Sequence, residues 1–571
     1  MSRIVGIDLG TSTSEIACII DGAPVVIPNT LGKPATPSVV HIAENGELLV
    51  GEPAAEYLFT RPDCTFMEVK RLTGSGKKLY AHGKEYTPEE LQAILLRYLC
   101  GCAATFLGER IERAVITVPA YFTDGQRRLT ARAGEIAGLN VERIINEPTA
   151  AALDYGLLNL KECKNILVYD FGGGTLDVTV LELFEGVIDV KASNGNNQLG
   201  GKDFDEIIMH RLADAKGDER ALMRLKKAAE DCKIALSVRD AYDISLPFLM
   251  TAAGGKPISV ERTVSRDEFE GWVKEKVNST KAPMMAALSD AELPISDLDI
   301  VLLVGGSTRI PCVKRLVEDT LSVVPKSLVD PELTVARGAA IQAGILEGVL
   351  TGERALVLTD VCPYTLGTSV LHEGVFGYKP LFDPIIPRNT TIPTEKSKLY
   401  IPSHDYQTSV KIMAYQGDSS DPGNNELLGD ILLSGIPPAR KGKEPVEVIF
   451  SYDMNGILQV KARVVSTRKE VSAEINTGGI EPKPVLDLTK WELAPGARRY
   501  RPLIRKAEKQ VKAAKQIMAD IGMTGIDTTN FDLTDDIELL IRRIKEALLL
   551  EDSKQAAALR EELMEMLEIL A

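Results

Sequence analysis

Residues 166–175 read Ile166-Leu167-Val168-Tyr169-Asp170-Phe171-Gly172-Gly173-Gly174-Thr175, and the run 176–183 that follows is again apolar. The pattern is a strand, an Asp-x-Gly turn with a hydroxyl residue, and a second strand. The same pattern opens the chain, where Ile4-Val5-Gly6-Ile7-Asp8-Leu9-Gly10-Thr11-Ser12 leads into the run 15–20. A glycine turn exposes consecutive backbone N–H groups and lets them approach phosphate oxygens closely. Thr11, Ser12 and Thr175 add hydroxyl donors. An aspartate at each strand end, Asp8 and Asp170, can hold Mg²⁺ through its water shell while the metal bridges phosphates. Two such hairpins facing each other would clamp a triphosphate from both sides. One Asp-Gly hairpin alone is ordinarily only a turn, so the duplication carries the nucleotide reading. No Gly-x-x-x-x-Gly-Lys-Ser/Thr stretch is present, which excludes the P-loop solution, and Gly74-Ser75-Gly76-Lys77 is a loop. A third glycine element, Val304-Gly305-Gly306-Ser307-Thr308-Arg309, follows the apolar run 300–304. The glycine pair admits a flat ring and Arg309 can stack on it, which suits an adenosine pocket.

Outward from these hairpins, residues 1–350 alternate Val/Ile-rich runs such as 114–118 and 166–169 with helical patterns at 126–138 and 221–237. That alternation predicts an α/β architecture. Near residue 352 the pattern changes, and 361–480 reads as strands and turns. There Asn455-Gly456 lies between strand-like runs 446–450 and 457–465, which predicts a tight hairpin in an antiparallel β unit. From about 498 the chain is helical. Ile504, Ala507, Val511, Ala514 and Met518 form one apolar stripe. Leu539, Leu540, Ile544, Ala547 and Leu548 form a second after an N-cap in Thr534-Asp535-Asp536, and Leu559, Leu563, Met566 and Leu570 a third. The expected domains are 1–352, a linker 353–360, 361–480 and 481–571.

The chain has 571 residues, 44% hydrophobic and 26% charged, which excludes a wholly disordered or fibrous protein. Its net charge of −15 argues against general nucleic-acid binding. No run approaches the ~18 apolar residues of a membrane span, and the N-terminus lacks a signal-peptide pattern. Eight scattered cysteines, none in Cys-x-x-Cys spacing, and five histidines give no metal centre. Cys100 and Cys102, the nearest pair, read as helix residues. The expectation is a reducing, cytoplasmic compartment.

The order of the three glycine elements resembles the ATPase superfamily of actin, hexokinase and the seventy-kilodalton heat-shock chaperones. Four further stretches narrow it. Ala114-Val115-Ile116-Thr117-Val118-Pro119-Ala120-Tyr121-Phe122, Ile145-Asn146-Glu147-Pro148-Thr149-Ala150-Ala151-Ala152-Leu153, Leu199-Gly200-Gly201-Lys202-Asp203-Phe204-Asp205 and Asn389-Thr390-Thr391-Ile392-Pro393 resemble the heat-shock chaperone (DnaK-type) family. The resemblance spans roughly 1–480, and the connector Leu358-Thr359-Asp360-Val361-Cys362-Pro363-Tyr364 looks most like the HscC branch. It implies an α/β actin-like ATPase domain with duplicated subdomains, an antiparallel β-sandwich peptide-binding domain and a C-terminal α-helical segment. The implied function is an ATP-dependent chaperone that captures and releases extended hydrophobic peptide segments of unfolded proteins. The implied cofactors are ATP/ADP, Mg²⁺ and K⁺.

The resemblance also assigns roles. Lys70 matches the catalytic lysine, Glu147 and Asp170 would orient the attacking water, and Thr175 would contact the γ-phosphate. Asp8 and Asp170 would position cations; Asp177 either joins that cluster or is structural. Gly10, Thr11, Ser12, Gly172, Gly173, Gly174, Gly200 and Gly201 would cradle phosphates. Glu230, Lys233 and Ser237, spaced along one helix face, would hold adenosine opposite Gly305, Gly306 and Arg309. Ile234 stands where the family often has arginine. Pro119 and Arg127 match the interdomain relay, and Leu356, Val357, Leu358 and Asp360 the docking linker, which Thr359 interrupts with a polar side chain. Val410 matches the central peptide pocket, with Leu366, Thr368, Leu371, Tyr400 and Ser403 around it. Implied partners are unfolded polypeptides, a nucleotide exchange factor and a J-domain co-chaperone, the last at Arg143, Asn146 and strand 187–190. The stretch between Lys70 and Ala114 is shorter than in DnaK, and 498–571 departs from the usual lid. Two other functions fit the ATPase fold. A small-molecule kinase has no need of the β unit, and a non-hydrolysing ATP-sensing holdase or exchange factor has no need of Lys70, Glu147, Asp170 and Thr175 together.

Overall fold

The computed structural model describes residues 3–215, 218–251, 256–327, 330–351, 356–374, 377–474 and 497–521, with scattered positions between 537 and 567. They form two compact units, Met1–Ile480 and Glu481–Ala571.

The sequence repeat is a repeat of topology. One sheet runs Asn140–Asn146, Arg113–Val118, Ile4–Leu9, Thr13–Ile20, Ala23–Ile27, and the other Lys326–Ser327, Ile300–Val304, Cys163–Phe171, Leu176–Phe184, Val187–Asn196. In both, the first three strands are parallel and the last two antiparallel. Central strands covered on both faces need apolar runs, which is how Ile300–Val304 reads and how Ile4–Leu9 reads up to Asp8. Ile7, Val69, Leu96 and Ile116 belong to the core of the first lobe, and Tyr169, Phe171, Phe204 and Val301 to that of the second. A third core, with Ile145, Ala150, Val168 and Ala339, fills the seam. Among the described residues one helix, Pro88–Leu107, is long and apolar enough to cross a membrane. Here its Leu91, Leu96 and Leu99 pack into the first-lobe core, and a Thr87–Glu90 capping box fixes its start.

The β unit consists of two four-stranded antiparallel sheets, Gly377–Ile386, Leu366–Gly374, Ser409–Gln416, Glu426–Ser434 and Thr394–Tyr400, Val446–Tyr452, Leu458–Val464, Glu470–Glu474. They share a core that includes Leu366, Ile412, Leu433, Phe450 and Val460. The Asn-Gly hairpin is wider than a two-residue turn. Residues 453–457 form the loop, Asp453 Oδ1 accepts the N–H groups of Asn455 and Ile457 at 2.8 and 2.9 Å, and Gly456 takes φ of 72°. This leaves the Asn455 side chain free to reach another element.

In the C-terminal unit, Ile504, Ala507 and Val511 of helix Arg501–Ile521 are buried with Ile537, Leu540, Ile544, Leu548, Leu559 and Leu563. The cap at 534–536, the stripe residues Leu539, Ala547, Met566 and Leu570, and Glu353, Arg354 and Ala355 of the linker lie outside the described residues.

Candidate functional site

Strand register sets the centre of the site. In the first hairpin Asp8 lies opposite Glu15, and in the second Asp170 lies opposite Asp177. All four are buried, as are Lys70 and Glu147, whose ammonium and carboxylate are paired directly. Thr117 donates its hydroxyl to Asp8 Oδ1 at 2.7 Å, and the Tyr121 N–H donates to Asp177 Oδ1 at 2.9 Å. Glu15 Oε1 and Asp177 Oδ2 are buried without a hydrogen-bond partner. Burial, then the Glu147 charge, pushes Asp8 up to about 7, and the same two causes push Asp177 up to about 7. Asp170 is likewise raised, by burial, Glu147 and Asp177, and Glu15 is raised by burial and Asp8. Burial opposes the charge of Lys70, but Glu147 and Asp8 outweigh it and hold the ammonium above its ordinary pKa.

Five carboxylates therefore surround one ammonium, an excess of negative charge that a hard divalent cation relieves. All the donors are oxygens, as Mg²⁺ requires. Among the described residues no three His, Cys, Asp or Glu side chains are close enough to ligate a metal directly. The set fits Mg²⁺ held through its waters, the way this ion usually binds.

The two glycine turns face each other. A β-carbon placed on Gly174 would lie 2.8 Å from Thr11 Oγ1, so a side chain there would have to displace Thr11. The Gly172 and Gly173 carbonyls accept the N–H groups of Gly201 and Lys202 at 3.0 and 2.8 Å, and Ser307 donates to Gly172 O at 2.7 Å. Ser12 lies beside Gly173, Gly200 beside Gly173 and Gly174, and Gly305 beside Phe171 and Asp170. Thr11, Ser12, Gly200, Gly201 and Gly305 thus gather around the second turn, while Gly10 and Thr175 belong to the two turns themselves and Gly306 lies beside Glu332. Helix Glu219–Leu236 places Glu230 2.7 Å from Lys202 and Lys233 2.8 Å from Asp205, and Ser237 bonds the Lys233 carbonyl at 3.1 Å. Ile234 is exposed, and Arg309 pairs with Asp330 and Glu332 at 3.5 and 3.3 Å.

A chain of contacts leads from Lys70 to the linker. Lys70 Nζ lies 5.8 Å from the centre of the Phe122 ring, and Phe122 N–H donates to the carbonyl of buried Pro119 at 3.1 Å. Arg127 donates to the carbonyls of Phe122 and Ala120 at 3.2 and 2.9 Å, and to Asn146 Oδ1 at 2.7 Å. Asn146 and Thr149 donate to Asp360 Oδ2 at 2.9 and 3.1 Å. The linker strand Val357–Val361 runs parallel to Val187–Asn196, pairing Val357 with Val187 and Leu358 with Ile188. Leu356 is buried, Leu358 packs on the seam core and Val357 faces outward. Thr359, the polar member, donates its hydroxyl to the Asp189 carboxylate of the strand it pairs with.

Other docking contacts carry no obvious sequence signal. Asp124 Oδ1 accepts the Leu458 N–H at 2.6 Å, and Arg128 donates to the Leu458 carbonyl at 2.6 Å. Asn455 Oδ1 accepts the Ile144 N–H at 3.1 Å, Tyr364 OH donates to Tyr121 O at 2.7 Å, and Arg388 and Asn389 donate to Asp290 at 2.7 and 3.1 Å. Glu15, by contrast, was detectable as a charged residue inside an apolar strand.

The residues assigned to a J-domain contact lie inside this arrangement. Arg143 is buried against Gln342 at 3.0 Å, Asn146 is enclosed by Arg127 and Asp360, and 187–189 are covered by the linker. In the β unit, strand Leu366–Gly374 pairs with Ser409–Gln416 only over 366–368 and then separates from it. Leu371, beyond that point, is exposed and Val410 is half-buried over the core. Two residues expected at the cleft are enclosed here. Leu366 is a core residue, and Thr368 gives its hydroxyl to Met413 O at 2.8 Å. Tyr400 OH donates to Asp383 at 2.7 Å, and Ser403 lies 2.8 Å from His404 Nδ1.

Duplicated lobes closed over facing glycine turns and buried carboxylates, with a β unit strapped on by a shared strand, define a two-lobed α/β protein with a docked second domain. The family model for Hsp70 protein matches residues 4–82 and 76–524. Chaperone protein DnaK of Thermotoga petrophila is 46% identical over 480 residues, covering 82% of this chain and 79% of the relative. The DnaK proteins of Thermotoga maritima and Thermotoga neapolitana match at the same identity and coverage. The chain belongs to the Hsp70 family. It is an ATP-dependent chaperone and an ATPase, and the family works with nucleotide and Mg²⁺.

Proposed function

We propose that the cluster around Lys70 is the ATPase centre, that the β unit captures extended apolar segments of unfolded polypeptides, and that the linker couples the two. On this reading 1–352 is the actin-like ATPase domain, 353–360 the linker, 361–480 the β-sandwich substrate domain and 481–571 a helical lid-like segment. Lys70 stabilises charge developing on the γ-phosphate, Glu147 and Asp170 orient the attacking water, and Thr175 touches the phosphate. Asp8 and Asp170 hold Mg²⁺ through water, and K⁺ is a second cation of the site. Bound Mg²⁺ supplies neutralisation of phosphate charge. Glu230, Lys233, Ser237, Gly305, Gly306 and Arg309 take adenosine.

The observation that carries the coupling is the unbroken path from the Lys70–Glu147 pair through Phe122, Arg127 and Asn146 to Asp360. The docked linker and the separated strands at 369–374 belong to the ATP-bound, open state. Hydrolysis frees the linker, and the strand closes on Val410, Leu371, Tyr400, Ser403 and the bound peptide. Release of the linker also uncovers Arg143, Asn146 and strand 187–190 for a J-domain co-chaperone. The connector favours the HscC branch, and the dispersed thiols favour the cytoplasm.

The test is ATP hydrolysis with and without an extended apolar peptide. Peptide should accelerate turnover, and Lys70→Ala should reduce single-turnover hydrolysis at least about 100-fold, as expected for loss of a preorganised transition-state cation. Hydrolysis independent of Lys70 would refute the assignment.

A further inference from the structure

The short turn Val69–Leu72 carries Lys70 on the first lobe, and residues of the second lobe grip it on both sides. Before it stands Glu68, with φ of 57°, a left-handed conformation that a non-glycine residue keeps only when its surroundings fix it. The Glu68 carboxylate lies 3.3 Å from Lys226 Nζ and 3.9 Å from Lys202 Nζ. Lys202 is itself buried and 2.7 Å from Glu230, on the helix assigned to adenosine. After Lys70 comes Arg71, whose guanidinium lies 3.4 Å from Asp203 Oδ2 and also donates to Gln198 O. Asp203 accepts the Gly200 N–H at 2.8 Å, in the first turn of the helix whose N–H groups hold the Gly172 and Gly173 carbonyls. These pairs are enclosed; Glu230 and Lys226, the most open members, have side chains only 27% and 26% exposed, so solvent screens them less than surface ion pairs.

We propose that Glu68 and Arg71 are positioning residues that clamp the Lys70 turn onto the second lobe. Placement of Lys70 and retention of the nucleotide then depend on the same ion pairs. The proposal rests on the assignment of the cleft as the nucleotide site. Opening the lobes to free a nucleotide must separate Glu68 from Lys226 and Lys202, and Arg71 from Asp203. The same separation loosens the turn beneath Lys70. Glu68 communicates with the adenosine side through Lys202 and Glu230, and Arg71 with the phosphate side through Asp203.

The test uses the full chain with Mg²⁺ at fixed K⁺, ionic strength being raised with choline chloride. Release of a fluorescent ADP and single-turnover ATP hydrolysis are measured for wild type, Lys70→Ala, Glu68→Gln, Arg71→Gln, Lys226→Gln and Lys226→Arg. ADP should leave Glu68→Gln and Arg71→Gln about three- to tenfold faster than wild type, and their single-turnover rates should fall about tenfold. Salt should speed release from wild type and do so less in Glu68→Gln. Lys226→Gln should release faster, while Lys226→Arg, which keeps the charge, should match wild type. Rates within about twofold of wild type in both Glu68→Gln and Arg71→Gln, with Lys70→Ala inactive, would overturn the clamp and leave the site assignment standing. Equal release from Lys226→Gln and Lys226→Arg, both faster than wild type, would point to packing rather than charge and also overturn it. Normal hydrolysis by Lys70→Ala would remove both.

Discussion

Asp177 is a carboxylate that the folded chain keeps out of water with one oxygen unpartnered, and this sets a pH dependence. It and Asp8 are pushed up to about 7 by burial and by Glu147, whereas an unfolded aspartate titrates near ~4. Below about pH 4 both states carry these protons. Between there and about 7 the unfolded chain has released them and the native chain has not, so their stabilising contribution is complete in acid and lost as pH rises through 7. Asp177→Asn keeps an oxygen for the Tyr121 N–H and removes the titration. It should raise the melting temperature of nucleotide-free protein at pH ~8 by about 2–5 °C, with little gain at pH ~5. Thermal melts at the two pH values check this, and a variant no more stable than wild type at pH ~8 would contradict it. The pairing has a sequence signature, because Asp8–Glu15 and Asp170–Asp177 share a spacing of seven residues across a hairpin. Only the turn-end member of each pair announces itself by motif. The other becomes visible once the turn length fixes the register and places both carboxylates on one face.

At the scale of elements, the linker shows how local reading and tertiary partners divide the information. The apolar run Leu356, Val357 and Leu358 announces a strand, and only the fold shows Val357 turned outward between Leu356 and Leu358. Thr359 looks like a defect until Asp189 of the neighbouring strand is known to receive its hydroxyl. Leu366 and Thr368 divide the same way: the motif puts them on the cleft strand, and only the folded partners show Leu366 in the core and the Thr368 hydroxyl on Met413 O. Asp360 makes the sharpest prediction here. It accepts from Asn146, Thr149 and the Val361 N–H, and burial raises its pKa, with Arg127 and Arg143 offsetting part of the rise. Asp360→Asn turns an amide donor towards these donors and removes charge-assisted hydrogen bonds that contribute about 1.5–3 kcal/mol each. ATP-triggered release of a fluorescent peptide should slow at least about tenfold while ATP affinity is retained. Hydrogen exchange at 357–361 should rise in ATP. Release at the wild-type rate would mean that the carboxylate does not hold the linker.

At the scale of the molecule, the change from a mixed helix–strand pattern to a strand-only pattern near 352 was legible, because periodicity is a local property. The docking of the β unit was not, since Arg128 and Leu458 or Asp124 and Leu458 meet across more than three hundred residues and one side of each contact is backbone. A backbone donor or acceptor leaves no trace in the sequence. The cores make a different statement about the whole. Each of the four in Met1–Ile480 is composed of residues from that unit, and the fifth draws only on residues from 497 onward. Burial of apolar surface is the main favourable term in folding, so a chain ending at residue 480 keeps the cores that stabilise its ATPase and β units. That chain should fold cooperatively, hydrolyse ATP in single turnover within about twofold of the full-length rate, and retain its dependence on Lys70. Circular dichroism melts and single-turnover assays decide the matter. Aggregation of 1–480, or loss of Lys70-dependent hydrolysis, would show that the helical unit supplies stabilisation that none of these cores records.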